Sequence, residues 1–128
     1  MTPQEMVREF HEAFGVAVAD SPIDGPIPLE LRQLRESLVK EEFNEFRDAL
    51  WNGDLVEIAD ALADLTYVVY GTAVSLGINL DAVVKEVHRS NMTKLDEDGS
   101  PIYRSDGKVL KGPNFEAPNI LEVMNGNG

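Results

Sequence analysis

Between residues 41 and 64 the chain places carboxylates where an amphipathic helix normally keeps its core. The spacing of Leu31, Leu34, Leu38, Phe46 and Ala49 predicts a helix from about Leu29 to Leu50 with one apolar side. At ~100° per residue, with Leu38 as zero, Glu41 falls near about −60°, Glu42 about +40°, Glu45 about −20° and Ala49 about +20°. Three carboxylates therefore continue the leucine stripe instead of opposing it. In the next helix Glu57, Asp60 and Asp64 follow at i, i+3 and i+7, a line that borders the stripe Ile58, Ala61, Leu65 and Val68. The short turn Trp51-Asn52-Gly53 predicts antiparallel packing of the two helices, so their acids can face each other.

Carboxylates gathered at the edge of a core repel one another and lose hydration, and each tends to take up a proton. A divalent cation removes the conflict. Oxygen-only ligands, with no cysteine in the chain and no inward histidine nearby, suit Mg²⁺ or Mn²⁺. Taken singly, each acid is well explained as a solvated charge at the stripe margin. Six on facing helices are better explained by metal.

The basic side chains lie elsewhere. Six of the eleven Lys and Arg follow residue 84: Lys85, Arg89, Lys94, Arg104, Lys108 and Lys111. Val84, Val87, Asn91 and Lys94 form a row at helical spacing, so Asn91 and Lys94 prolong an apolar stripe as the glutamates do. Metal-holding acids together with a few cations make a site for a polyphosphate, since both neutralise charge that develops as a P–O bond breaks.

The elements that must carry these groups are helical. Thr2-Pro3-Gln4-Glu5 predicts a capped helix start, followed by Met6, Phe10, Ala13 and Phe14 on its apolar side, with His11 on the polar side. Three prolines and a glycine make residues 21–28 a linker. Asp54 is the expected N-cap of the third helix, with the stripe Ile58, Ala61, Leu65, Val68, Thr72 and Leu76, and Gly77 stops it. Asn79 or Asp81 starts a fourth helix with Leu80, Val83, Val84 and Val87 inward. Turn residues around Ile102-Tyr103 and Val109-Leu110 predict a small hairpin or an ordered loop, and the tail ending Asn125-Gly126-Asn127-Gly128 is expected to fray. The reading is a single all-α domain over residues 1–128, an antiparallel four- to five-helix bundle. Its core covers about 3–94, and an irregular or hairpin arm covers about 95–120.

Composition sets the outer limits. In 128 residues, 23 acidic and 11 basic side chains give a formal charge of −12. Such a balance argues against nucleic acid and against an anionic membrane surface as partners. The absence of cysteine excludes a disulfide scaffold and thiolate chemistry. The first residues carry Glu5, Glu9 and Glu12 and do not read as a signal peptide, and the apolar stretch from Leu65 to Leu80 is short for a bilayer. The expected compartment is the cytoplasm.

Four elements in this order carry a resemblance. Glu41-Glu42-Phe43-Asn44-Glu45 matches an EExxE element, and residues 57–71 resemble a second acidic element. Glu86-Val-His88-Arg89-Ser-Asn91-Met-Thr-Lys94 and Asp106-Gly107-Lys108-Val-Leu-Lys111-Gly-Pro113 look like a C-terminal signature. Together they resemble the MazG-like all-α nucleoside triphosphate pyrophosphohydrolases, a superfamily that includes the dimeric dUTPases and phosphoribosyl-ATP pyrophosphatase. The resemblance implies hydrolysis of a nucleoside triphosphate to the monophosphate and pyrophosphate with Mg²⁺ or Mn²⁺, in a homodimer or tetramer, with dUTP suggested by branch similarity. It implies Glu42 and Glu45 as metal ligands, and Glu41 as a further ligand or the group that activates water. On that basis the proton of the attacking water is expected to pass to Glu41 or Glu42. Asp64 resembles the Asp of an ExxD element whose Glu is replaced by Ala61. Asp60, one turn earlier, is the favoured substitute, with Glu57-Ile-Ala-Asp60 as the other alignment. Asn91 and Lys94 resemble a substrate-binding pair, with Lys108 and Lys111 contacting phosphate.

Other readings compete. A phosphoribosyl-ATP pyrophosphatase-like enzyme differs only in substrate. A non-catalytic metal-binding helical dimer differs in class. A di-iron bundle needs Glu-x-x-His pairs, and none stands near the acids. Asp96-Glu97-Asp98-Gly99-Ser100 starts like a calcium loop but has Pro101 and Gly107 at the positions that need Gly and Glu. It is expected to be a turn. Trp51 is expected to be a buried helix-end anchor in preference to a nucleobase stack, and His88 a surface or core-edge side chain. Tyr67 and Tyr70 lie away from the third helix's stripe, which suits a subunit interface or a second core face.

Overall fold

A computed structural model describes residues 1–127; Gly128, the last residue of the tail expected to fray, lies outside them. The order of elements is α1 (Pro3–Phe14), α2 (Leu29–Asn52), α3 (Leu55–Leu76), α4 (Leu80–Met92) and the single turn α5 (Ile120–Glu122). The fold is all-α, and among the described residues the only β pairing is an isolated bridge between Tyr103 and Val109. The chain forms two compact units, Met1–Asn79 and Leu80–Gly128.

In the first unit α3 is the central element, with α1 and α2 both packed on it. The helix starts follow their local chemistry. Thr2 and Glu5 form a reciprocal capping box around Pro3, and the Asp54 side chain accepts from the backbone N–H groups of Val56 and Glu57. Every residue of the expected α3 stripe is buried or half-buried. The segment between α1 and α2 has no regular structure, yet it is stitched to the end of α3. Ala19 N–H donates to Val74 O at 3.1 Å, Ile23 N–H donates to Leu76 O at 3.0 Å, and the Ser75 hydroxyl donates to Ala17 O at 2.9 Å. Gly77 is required where this strap passes. Its φ is +75°, and a β-carbon there would lie 2.0 Å from the Ser21 carbonyl oxygen.

Several expectations are corrected in this unit. α1 buries Val7 and His11, while Met6, Phe10 and Phe14 are exposed. His11 is tolerated inside because its Nδ1 meets the Ala17 carbonyl at 2.9 Å. α2 runs to Asn52, two residues beyond the expected end. Trp51 is 85% exposed at the tip between α2 and α3, so it anchors nothing within the chain.

The second unit carries α4 and the arm. α4 starts at Leu80 and buries Ser90, whose hydroxyl donates to Glu116 O at 2.7 Å. Val84 and Val87, expected inward, are exposed, and so is His88. Asp96 forms the expected turn by accepting from the N–H groups of Asp98 and Ser100 at 2.9 Å. The hairpin is real but short. Arg104 N–H donates to Lys108 O and Leu110 N–H to Ile102 O, both at 2.7 Å, and Asp106 closes the turn by accepting from Lys108 N–H. Asn119 caps the α5 turn through Glu122 N–H, and a looser coil follows over Val123–Asn127.

Candidate metal centre

Glu42 and Glu45 project from α2 and Asp64 from α3. One oxygen from each lies within 4.8 Å of the other two. Two features of the sequence bring them together. Glu42 and Glu45 are three residues apart, so they share a flank of α2. Glu42 and Asp64 stand eleven residues before and after Gly53, the residue that ends α2, so the antiparallel hairpin sets them level.

The trio is electrostatically frustrated. Glu42 is half-buried, and its Oε2 is sealed from solvent with no hydrogen-bond partner. Burial, then the charge of Glu45 and a hydrogen bond to it that forms when Glu42 is protonated, then the charges of Asp64 and Glu41, push the Glu42 carboxyl above its ordinary pKa. Glu45 and Asp64 are exposed, and partial burial of the Asp64 carboxyl, then Asp60 and Glu45, push Asp64 up as well. A buried carboxylate oxygen with no donor costs free energy until a proton or a cation reaches it. Three hard oxygen donors with one orphaned atom fit a divalent cation such as Mg²⁺ or Mn²⁺.

The other acids stand apart from this trio. Glu41 is exposed and lines a groove on α2 with Gln33, Glu36, Ser37, Lys40 and Asn44. It still adds negative charge to the surroundings of Glu42. Asp60 is exposed and acts on Asp64 through its charge. Glu57 is exposed in the first turn of α3. Ala61 is buried.

The predicted substrate contacts all belong to the second unit. Asn91 is exposed near the end of α4, and Lys94 lies past that end in a turn, where its N–H donates to Asn91 O at 3.1 Å. Lys108 is exposed in the hairpin, and the Lys111 ammonium sits 4.8 Å from the centre of the Phe115 ring.

Arg35 escaped the sequence reading. It is 6% exposed on α2 and bonds to α3. A signal existed, because Arg35 follows Leu31 by four and precedes Leu38 by three, on the same stripe as the glutamates.

The profile of the phosphoribosyl-ATP pyrophosphohydrolase family matches residues 7–91, more than half of the chain and all of the acidic elements. The chain belongs to that family. The family is part of the MazG-like all-α nucleoside triphosphate pyrophosphohydrolase superfamily, whose enzymes act on phosphoanhydride bonds and are typically dependent on a divalent metal. Lys94, Lys108 and Lys111 lie beyond the part matched by the phosphoribosyl-ATP pyrophosphohydrolase profile. An uncharacterized protein of Acanthamoeba polyphaga mimivirus is 34% identical over 113 residues, 86% of this chain. The chain spans 42% of that relative's length. Among the described residues no single helix is long and apolar enough to cross a membrane.

Proposed function

We propose that the protein is a metal-dependent nucleoside triphosphate pyrophosphohydrolase. It converts a ribo- or deoxyribonucleoside triphosphate and water to the monophosphate and pyrophosphate. The observation that carries this reading is the orphaned Oε2 of Glu42 inside the trio with Glu45 and Asp64.

In this reading Glu42, Glu45 and Asp64 hold Mg²⁺ or Mn²⁺, with Asp60, and Glu57 beyond it, as further acids on the same helix. When bound, the cation supplies Lewis acidity and balances the charge of the triphosphate. Two side chains are open to the proton of the attacking water. Glu42 belongs to the trio itself, and without metal its carboxyl is held above its ordinary pKa, first by burial. Glu41 is exposed and stands outside the trio. The water oxygen bonds to one phosphorus of the α–β linkage as the bridging P–O bond breaks, giving the monophosphate and pyrophosphate. Asn91 and Lys94 bind substrate, and Lys108 and Lys111 balance phosphate charge. These four assignments rest on the resemblance of their motifs.

Among these triphosphates dUTP is proposed first, on the resemblance of the chain's motifs. The family profile favours phosphoribosyl-ATP as the second candidate. The protein acts as a homodimer or tetramer. Met6, Phe10 and Phe14 of α1 and Tyr67 of α3 are exposed, and Phe10 packs its ring on both Phe14 and Tyr67. A second copy is the expected cover for such a surface. The test is a panel of dUTP, dCTP, dTTP, dATP, GTP and phosphoribosyl-ATP with Mg²⁺ and with Mn²⁺, scoring pyrophosphate. Release from one of them that is lost in Glu45→Gln supports the reading, and release from none contradicts it.

A further inference from the structure

Three helices of the first unit meet at one notch. The Arg35 Nε of α2 donates to Thr72 Oγ1 at 3.2 Å, and its Nη2 donates to the Val68 carbonyl at 2.9 Å. The Thr72 hydroxyl donates to the same carbonyl at 3.1 Å. Gly71 makes the room. A β-carbon there would stand 2.4 Å from Arg35 Nη2 and 3.0 Å from His11 Nε2 of α1.

A buried guanidinium is a costly fastener between two helices. Burial lowers the Arg35 pKa, and among the described residues the side chain makes no ion pair. Apolar substitutes for buried charges are often as stable or more so. Stability alone therefore does not explain Arg35. What a guanidinium adds is a directional, two-point contact in a fixed plane. Both points fall on one turn of α3.

That turn is next to the carboxylates. Val68 follows Asp64 by four residues, about 6 Å along the axis, and Arg35 precedes Glu42 by seven, about 10 Å. Arg35 and Glu42 differ by only about 20° around α2. The two-point contact thus resists sliding of α2 along α3 on the face that joins Glu42 and Glu45 to Asp64. We propose that Arg35, seated in the Gly71 notch, is a positioning residue that sets the axial register of α2 against α3, and with it the spacing of the carboxylate trio for a divalent cation. The proposal rests on the metal reading of that trio.

The test is calorimetric titration of the full chain with Mn²⁺, far below its melting temperature, in wild type, Arg35→Met, Arg35→Lys, Thr72→Val, Gly71→Ala and Glu45→Gln. Met keeps length and packing and discards the directed contact. Arg35→Met is expected to melt cooperatively, no lower than wild type by more than a few degrees, and to bind Mn²⁺ about tenfold more weakly or worse. Lys keeps the charge without the fork and is expected to restore little of that loss. Thr72→Val removes one of the two contact points and is expected to cost less, about threefold. Gly71→Ala displaces the guanidinium and is expected to match Arg35→Met. A merely structural role lowers the melting temperature and leaves the affinity of the folded protein unchanged. Arg35→Met within about twofold of wild type in Mn²⁺ affinity overturns the proposal provided Glu45→Gln has lost binding. If Arg35→Met does not fold, unchanged affinity in both Thr72→Val and Gly71→Ala overturns it equally. A wild-type chain that takes up no Mn²⁺ removes the trio as a metal site and this proposal with it. That result is told apart from failure of the register claim by the wild-type titration alone.

Discussion

Glu42 on α2 and Asp64 on α3 stand eleven residues to either side of Gly53, and their carboxylates meet within 4.8 Å across the helical hairpin. Each is pushed above its ordinary pKa first by burial and then by the other acids around it. Metal-free protein therefore stores a local conflict that protons or cations can relieve.

The conflict fixes the sign of a pH effect. The folded state holds protons on Glu42 and Asp64 more tightly than the unfolded chain does. Between the ordinary carboxylate pKa and the raised folded value it binds more protons, so stability falls as pH rises through that window. Below the window these two groups contribute their full stability, and above it that contribution is lost. Melting temperatures in chelator should show this fall for wild type and a smaller one for Glu42→Gln. Added Mn²⁺ should raise the melting temperature most at the upper end of the window.

Glu41 and Glu42 are adjacent in sequence but separated in role by their faces of α2. Glu41→Gln is expected to leave Mn²⁺ affinity within about twofold of wild type, whereas Glu42→Gln and Asp64→Asn, which remove charge from the trio itself, are expected to lose about tenfold or more. Turnover measured at saturating metal then reports on the proton acceptor. A large fall in kcat for Glu41→Gln at unchanged metal affinity assigns the proton to Glu41, and an unchanged kcat assigns it to Glu42.

The projection that exposed the trio did not settle its membership. Glu41 and Glu42 lie at comparable angles on either side of Leu38, so the stripe alone admits both. The side on which α3 packs decides, and that is a long-range fact absent from one helix's spacing. Glu42 and Glu45 were legible because carboxylates on an apolar stripe need a reason, and Asp64 because it lines the border of the stripe on the facing helix. Arg35 obeys the same logic with the opposite charge. His11 was misread because its partner, the Ala17 carbonyl, belongs to a loop that periodicity does not describe. Trp51 was misread because a bulky aromatic at a helix end suggests burial, whereas the tip of the hairpin is exposed. The helix ends themselves followed closely from Thr2, Asp54 and Gly77, whose chemistry is local.

The strap from Ala17 to Ile23 depends on Gly77. A β-carbon there meets the Ser21 carbonyl and adopts an unfavourable positive φ. Gly77→Ala is expected to destabilise the protein by about 2 kcal/mol, read from urea unfolding. Gly25→Ala is the control for φ alone, since Gly25 also has positive φ but has open space around it. It should cost clearly less.

Self-association is testable at Phe14, which is 70% exposed and stacked on Phe10. Wild type is expected to sediment as a dimer or larger, and Phe14→Glu to shift toward the monomer with its far-ultraviolet circular dichroism unchanged. A wild type that sediments as a monomer at all accessible concentrations contradicts the assignment of this face.

The most direct test of the central claim is anomalous diffraction from crystals grown with Mn²⁺. The account predicts a strong anomalous peak bounded by carboxylate oxygens of Glu42, Glu45 and Asp64, and no such peak in Glu45→Gln crystals. Well-ordered wild-type crystals with no anomalous signal between these side chains, or with the three turned out to solvent, contradict it.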